Sequence, residues 1–397
     1  MSAMAAELYS DEQREFATEV RRFLAANQPI NRVRQLAGDP IGRDGELWRR
    51  AAKEADLLGL MIPEEYGGSG FGFAEASLVL TAAGAALTSW PYLSSAVLSS
   101  HCLVAAADTD AKSRWLPALA GGEVVATLAV ADDQGDWALA NGSVRAEEGP
   151  GGAWTLTGHK SFVTDGPAAD ILLTFGTTGS ETALFVVRTD ASGVSSTSLP
   201  ALDSTRKLGR FVFEGAAAER VGDVADLAGL DASLCALAAA ALVCEQAGGI
   251  ATVLDMTSRY AKDRRQFGRS IGSFQAIKHK CVDIYIRSEA TAAFAESVAL
   301  SFDAAVRAGR LGEKALRSQV ATAAVYCGEA FVKSAHDMIQ VHGGIGFTWE
   351  HDAHLFLRRA AADAKLFGGK SRNMAVLTAA LRSGALLMRP TGGEDAR

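Results

Sequence analysis

The sequence predicts an α+β protein: a helical first section, a β-rich middle and a closing bundle of long helices. Three observations predict it. Residues 1–120 and 226–388 carry apolar side chains at the three-to-four-residue spacing of helices. Residues 121–225 break instead into short β-prone runs separated by Gly, Asp and Ser. The last section holds long stretches without proline, which pack best as an antiparallel bundle. A chain of 397 residues is too long for one ordinary core, so several domains are expected.

In the first section, Ser10-Asp11-Glu12-Gln13 reads as a helix N-cap followed by acids in the first turn. Phe16, Val20, Phe23 and Leu24 follow at helical spacing, and Glu12, Glu15 and Glu19 read as the solvated face. Between Pro63 and Gly72 the pattern breaks, with four glycines in the six positions from Gly67 to Gly72. A phosphate cradle would need a Lys-Ser/Thr and a preceding strand, so a helix-to-helix turn is expected there. The middle section offers strands at Val124–Ala131, Trp154–Thr157, Ile171–Phe175, Ala183–Val187 and Arg210–Phe213, read as an antiparallel β domain. In the last section, helices are expected over Leu234–Arg259, about 274–308 and about 312–340, with apolar faces that also support oligomerisation. The tail, 389–397, is rich in Pro, Gly and charge and is expected to be disordered.

The net charge of −7 argues against nucleic acid as the main partner, because phosphate binding needs a basic face. No stretch of membrane-span length is uninterruptedly apolar; Ala232–Val243 comes nearest and reads as a buried helix. Residues 1–11 lack a signal-peptide pattern, and the five cysteines form no C-x-x-C pair, so reduced thiols and a cytoplasmic location are expected. His342, His351 and His354 invite a metal, yet no H-E-x-x-H occurs and no cysteine or carboxylate completes a set, so none is expected.

Three runs carry most of the chemistry. They are Arg264-Arg265-Gln266-Phe267-Gly268, then Ile271-Gly272-Ser273-Phe274-Gln275-Ala276-Ile277-Lys278-His279, then Gln340-Val341-His342-Gly343-Gly344-Ile345-Gly346-Phe347. Arginine supplies a fixed fork of donors that suits a pyrophosphate. Gln275 and Gln340 can donate and accept towards a heteroaromatic ring or a ribose. Gly343-Gly344 caps a helix and lets backbone approach a ligand, and Phe267 and Phe274 offer flat apolar surface. A fourth run, Gly158–Gly166, reads by itself as a β-hairpin with its turn at Asp165-Gly166.

The order and spacing of the three runs resemble the acyl-CoA dehydrogenase family of flavoproteins, and the resemblance covers nearly the whole chain. It implies a helical N-terminal domain, a middle antiparallel β domain and a C-terminal four-helix bundle. It implies FAD, held by Arg264, Gln266, Phe267, Phe274, Gln275, Gln340, Gly343 and Gly344, largely the FAD of a neighbouring subunit. The Gly158–Gly166 run is similar to the family's G-x-K-x-(W/F)-I-T-x-G segment, which would lay Phe162 along the flavin and place the Thr164 hydroxyl near its polar edge. The implied reaction is oxidation of an acyl-CoA thioester to the 2,3-enoyl-CoA. An electron-transfer flavoprotein would be the acceptor.

Two departures bear on that expectation. Where the family carries a T-E-P-x-x-G-S-D type of loop, this chain reads Ala131-Asp132-Asp133-Gln134-Gly135-Asp136, and acids repel phosphate. The reaction also needs a carboxylate to take the α-proton. The two places where the family keeps it match Phe367 and Ala238, and the nearest acid, Glu245, is a weak candidate better read as a packing glutamate with a basic partner. Four alternatives follow: a homo-oligomeric dehydrogenase, a base-lacking companion subunit of a hetero-oligomeric one, an oxygen-using flavin enzyme, or a non-enzymatic assembly protein.

Overall fold

The computed structural model describes residues 9–383 except 180, 223–225 and 311, so the expected tail at 389–397 lies outside the described residues. The first section is helical: α1 (Asp11–Asn27), α2 (Ile30–Ala37), α3 (Gly45–Lys53), α4 (Phe73–Ala86), α5 (Ser100–Ala105) and α6 (Thr109–Ala120), with a π-helical stretch Tyr92–Ser99 leading into α5. Ser10 and Gln13 form a reciprocal capping box at 3.2 and 3.0 Å, satisfying two of the amides that a helix start leaves without partners. Val20 and Leu24 face the core, and Glu12, Glu15 and Glu19 face solvent.

The glycine-rich segment is a turn. Gly67 and Gly70 take φ of 79° and 66°, and a Cβ at Gly68 would lie 2.1 Å from the Ile62 carbonyl oxygen, so a side chain is excluded there by close chain approach. The start of α4 is capped from a distance, as Asp303 accepts from the amides of Phe73 and Ala74 at 2.5 and 3.0 Å.

The middle section is one sheet built from β1 (Ala126–Ala129), β2 (Val144–Glu148), β3 (Trp154–Thr164), β4 (Ile171–Thr178), β5 (Glu181–Arg188), β6 (Val194–Leu199) and β7 (Leu208–Arg220). The strand order is β1-β4-β2-β3-β7-β5, with β6 added on β7. Most pairings are antiparallel, as expected, but β1 lies parallel to β4 and β2 meets β4 in one parallel pair, Arg145 with Thr177. The parallel pairing arises because β2 and β3 intervene between β1 and β4, and the chain then returns to β1's own starting edge. The expected hairpin at Asp165-Gly166 is therefore corrected: β3 pairs with β2 and β7, and the turn carries the chain into β4, which lies beside β1. Sequence reading missed β2 and β6. β6 is a polar edge strand without the apolar alternation that marks a half-buried one.

The last section contains α7 (Leu227–Asp263), α8 (Gln275–Arg307), α9 (Lys314–His342), α10 (Ala353–Asp363) and α11 (Gly369–Arg382), with a short ribbon of β8 (Arg265–Gln266) and β9 (Arg269–Ser270) after α7. By length and composition alone α7 could cross a bilayer, but 67% of its most apolar window is buried in this fold, in line with the buried helix expected over Ala232–Val243. Its burial against α4 depends on glycine: a Cβ on Gly248 would meet the Thr81 carbonyl at 1.8 Å, and one on Gly84 the Glu245 carbonyl at 2.0 Å. A second, smaller core gathers Val33, Leu87, Ile250, Val253, Ile284, Phe331, Met338 and Phe356 around the far end of α7. That core fixes the end of the bundle where the three sequence runs meet.

Candidate functional site

The end of α7 delivers the first run. Arg264 is its C-cap, and its amide donates to the Tyr260 carbonyl at 2.9 Å. The chain then reverses through β8 and β9, with Phe267 at φ 52° and Gly268 at φ 77° forming the tip. Phe267 is 90% exposed, unusual for so large an apolar ring. It meets Phe274 edge-on at 6.1 Å between centroids, and the Arg269 guanidinium lies over the Phe274 ring at 4.1 Å from its centroid. Gln266 is exposed and donates to the Arg265 carbonyl, and Gln275 is the exposed first residue of α8.

The end of α9 delivers the third run. Gln340 is exposed, and Gly343 ends the helix at φ 62°. A Cβ at Gly343 or Gly344 would meet nothing within 4 Å, so the backbone here stands open to an approaching group. The two helix ends are joined by aromatic stacking: Tyr260 lies on His342 at 4.3 Å, and His351 closes on His342 at 4.5 Å. Arg264, Gln266, Phe267, Phe274, Gln275, Gln340, Gly343 and Gly344 thus lie at one end of the bundle, presented outward. With Arg264, Arg265 and Arg269 all exposed there, the donors and charge suit a phosphate-bearing ligand.

The middle domain presents a different picture. Phe162 sits in a register break of β3 between Lys160 and Val163, at φ 53°, which turns its ring outward to 45% exposure. Thr164 is buried, and its carbonyl accepts from the Thr127 hydroxyl at 2.6 Å. The loop after β1 is tied down on all sides. Buried Lys160 donates to the Val130 carbonyl and to Asn141 Oδ1, both at 2.8 Å, and burial lowers its ammonium to about 8. Asp133 takes a two-pronged ion pair from Arg210 at 3.0 Å, and those bonds with Ser161 hold its carboxyl below the usual range. Trp137, buried, meets Phe367 edge-on at 5.1 Å, while Arg372 of α11 donates to the Trp137 carbonyl at 2.5 Å and pairs with Asp231 at 2.7 Å.

This loop does not fit a pyrophosphate. Its free-standing chemistry is acidic, and its one large side chain is already packed onto the bundle. The two positions expected to carry a base hold none: Phe367 lies in the turn Leu366–Gly368 at φ 53°, and Ala238 is fully buried on α7. Glu245, the weak candidate, is buried and accepts from Arg206 Nη2 at 2.5 Å.

Arg206 joins a cluster that sequence reading missed. Its other nitrogen donates to Asp363 at 2.8 Å, and one turn earlier on α10 Arg359 pairs with Asp203 at 2.6 Å and bonds Thr205. Asp165 lies close by and accepts from Ser94 at 2.7 Å. Four buried carboxylates thus share two arginines, and the excess shows in their protonation. Burial pushes Asp165 up to about 6 and Asp363 up to about 7, whereas at Asp203 burial, the largest single influence, is outweighed by Arg359, Thr205 and Arg206 together and the carboxyl is lowered. Nothing local announces the cluster, because its members come from β-loops and two helices far apart in sequence. Among the described residues, no group of three or more His, Cys, Asp or Glu is placed to hold a metal ion.

Comparison with known proteins places this geometry in context. Residues 232–381 match the acyl-CoA dehydrogenase C-terminal domain and residues 10–123 the N-terminal domain of the same family. The acyl-CoA dehydrogenase FadE27 of Mycobacterium tuberculosis is 33% identical over 338 residues, covering 82% of this chain and 85% of that protein. Among solved structures, the ChsE4-ChsE5 complex of Mycobacterium tuberculosis superimposes with a TM-score of 0.81 at 29% identity, covering 94% of this chain and 98% of that one. The Tcur3481-Tcur3483 steroid ACAD does so with a TM-score of 0.81 at 25% identity, covering 94% and 99%.

Proposed function

Because the chain belongs to the acyl-CoA dehydrogenase family, we propose that it serves FAD-dependent oxidation of an acyl-CoA thioester to its 2,3-enoyl-CoA as a companion subunit. In this role it lends the bundle-end groups to a flavin seated in a partner subunit that carries the base. The observation that supports this most directly is the edge-on contact of Trp137 with Phe367: a ring occupies the base position, and the neighbouring loop closes onto it. The complexes named ChsE4-ChsE5 and Tcur3481-Tcur3483 give the reading a precedent in two-protein assemblies of this fold.

In the proposed assembly FAD supplies the hydride acceptor. This chain's residues do the holding. Arg264 offers a charge-assisted pair of donors to a pyrophosphate. Gln340 and the open backbone at Gly343-Gly344 offer donors and acceptors to a nucleotide, and exposed Phe267 offers a flat apolar face. No proton transfer is assigned to Glu245, which Arg206 holds. An electron-transfer flavoprotein remains the proposed acceptor, and the cytoplasm the proposed location.

The test is a visible spectrum of the purified chain, alone and after co-expression with a family member that carries the carboxylate. The expected result is colourless protein alone and a yellow complex that bleaches anaerobically with an acyl-CoA. Yellow protein that bleaches without a partner would overturn the companion role in favour of a self-sufficient dehydrogenase.

A further inference from the structure

Three rings join the helix ends that carry the first and third runs. His342, 4% exposed, lies between Tyr260 of α7, at 4.3 Å with planes 24° apart, and His351 of the turn before α10, at 4.5 Å. The hydrogen bonds fix the protons on both imidazoles. His342 Nδ1 lies 2.8 Å from the Met338 carbonyl, which can only accept, so Nδ1 donates and a further proton goes to Nε2. His351 Nδ1 accepts at 3.1 Å from the amide of Ala353, the first residue of α10, so His351 is neutral as it stands. A proton on that nitrogen would take away the amide's partner. A proton on His342 would charge a buried ring. Burial, the largest influence, and His351 outweigh the Met338 carbonyl and hold His342 below the usual histidine value.

The titratable groups against His342 are the Tyr260 phenol from α7 and the His351 imidazole from the turn before α10. Met338 on α9 and Gly346 in the turn Gly343–Phe347 pack on it without adding any. The neighbouring charges are engaged elsewhere. Asp352 pairs with Arg34 of α2 at 2.6 Å, Arg259 pairs with Asp255, and Arg264 stands exposed one turn beyond Tyr260. No carboxylate is thus placed to welcome a proton on His342, and the stack is stable only while that ring is neutral.

We infer that His342 is a positioning residue for the bundle end: neutral, it holds the Gly343-Gly344 turn at a set distance from Arg264 through Tyr260 and His351, and protonated it releases that turn. The inference rests on the reading that these groups hold a flavin nucleotide. Because the stack lowers the proton affinity of His342 below that of a free histidine, near about 6.5, its contribution is complete above that pH. It is lost as pH falls through the lowered value. The carboxylates around Arg206 respond in the opposite sense, losing stability as pH rises, so the melt of the whole chain does not follow His342.

The experiment records two profiles between about pH 8 and pH 5, the range in which a histidine changes charge. In the full chain without flavin, hydrogen–deuterium exchange over Met338–Phe347, corrected for the intrinsic pH dependence of exchange, should rise several-fold on acidification while the sheet stays protected. In the complex with a family member that carries the carboxylate, flavin retention on gel filtration should weaken about tenfold over the same range. His342→Phe keeps a flat ring in the stack and takes no proton, so both profiles should become level. Tyr260→Phe keeps the stacked ring and the titrating group, and both profiles should persist. His351→Asn, whose side-chain oxygen can still accept from the Ala353 amide, should move both midpoints to higher pH, because an opposing imidazole is gone. Exchange in the parent that is level in pH, or a His342→Phe profile as steep as the parent's, would overturn the proposal. Retention level in pH, with Arg264→Ala still lowering it, would overturn the coupling to flavin and leave the nucleotide reading intact. Retention unaffected by Arg264→Ala would remove that reading and the proposal with it.

Discussion

Tyr260 lies flat on His342, with ring centroids 4.3 Å apart and planes 24° from parallel, and its hydroxyl donates to the His342 carbonyl at 3.3 Å. Tyr260 is one turn before Arg264, and His342 immediately precedes Gly343. The stack therefore sets the distance between the arginine cap of one helix and the open glycine turn of another. Tyr260 lies outside the three runs and His342 within the third, and the first and third runs depend on this contact for their relative placement.

The first prediction concerns those runs. Arg264→Ala should weaken flavin retention in the assembled complex by roughly 1.5–3 kcal/mol, the range for a hydrogen bond to a charged group. The bundle should not lose stability, because Arg264 is exposed and caps the helix through its backbone. Flavin absorbance per complex after gel filtration measures the first effect and thermal melting the second. The released flavin should be FAD; recovery of FMN, or retention equal to the parent, would remove Arg264 from the site.

The second concerns pH. Burial raises Asp363 to about 7 and Asp165 to about 6, above the usual aspartate range near 4. The folded state therefore holds protons that the unfolded state releases. The stability these groups contribute is complete below about pH 4 and is lost as pH rises through 6 to 7. Melting temperature should accordingly fall between pH 5 and pH 8, and Asp363→Asn should flatten that fall. A melting curve series in which Asp363→Asn shows the parent's slope would contradict the assignment. Arg206→Ala, which leaves Glu245 and Asp363 buried without their shared cation, should cost about 3–5 kcal/mol at neutral pH.

The third concerns the crossing of α4 and α7. A Cβ at Gly248 would fall 1.8 Å from the Thr81 carbonyl oxygen and 2.8 Å from the Ala85 amide nitrogen, and both are backbone atoms that cannot rotate away. Gly248→Ala should then destabilise by about 1–3 kcal/mol, the usual cost of overpacking, despite the better helix propensity of alanine. Chemical denaturation decides it; a stabilised variant would mean that the helices separate freely at this point.

These relationships show what was legible in the sequence. Long periodic segments were, since burying one face of α7, α8 and α9 imposes a pattern over many turns. The Ser10 cap was, because capping is local in sequence. The three site runs were located, and the fold brings them to one end of the bundle. The polar strand β6 was not, since an exposed edge needs no apolar alternation. The parallel pairing of β1 with β4 was not, because register across a sheet is set by contacts remote in the chain. Nor was the Arg206 cluster, whose partners Glu245 and Asp363 lie on two different helices. The absence of a base at Phe367 and Ala238 was legible as residue identity; that Trp137 would close over Phe367 was not.

The last prediction follows from that closure. A positioned carboxylate is worth typically about 10²–10⁴-fold in proton removal. If its absence were the chain's only deficiency, Phe367→Glu would restore it at the position the family uses. The structure gives three reasons why it should not. Trp137 packs against residue 367, Arg372 holds the Trp137 carbonyl, and Asp133 is fixed by Arg210 in a loop whose acids oppose a pyrophosphate. Phe367→Glu, purified alone and supplied with FAD, should therefore show no flavin reduction on anaerobic mixing with an acyl-CoA, while remaining folded by circular dichroism. Glu245→Gln should likewise leave the rate of the complex with its partner unchanged within about twofold, because Glu245 serves Arg206 and not substrate. Rapid bleaching by the Phe367→Glu chain alone would show that the loop opens to seat a flavin and that the missing carboxylate was the whole deficiency. Loss of the complex's reduction rate in Glu245→Gln, with its melting temperature kept, would instead make Glu245 the base.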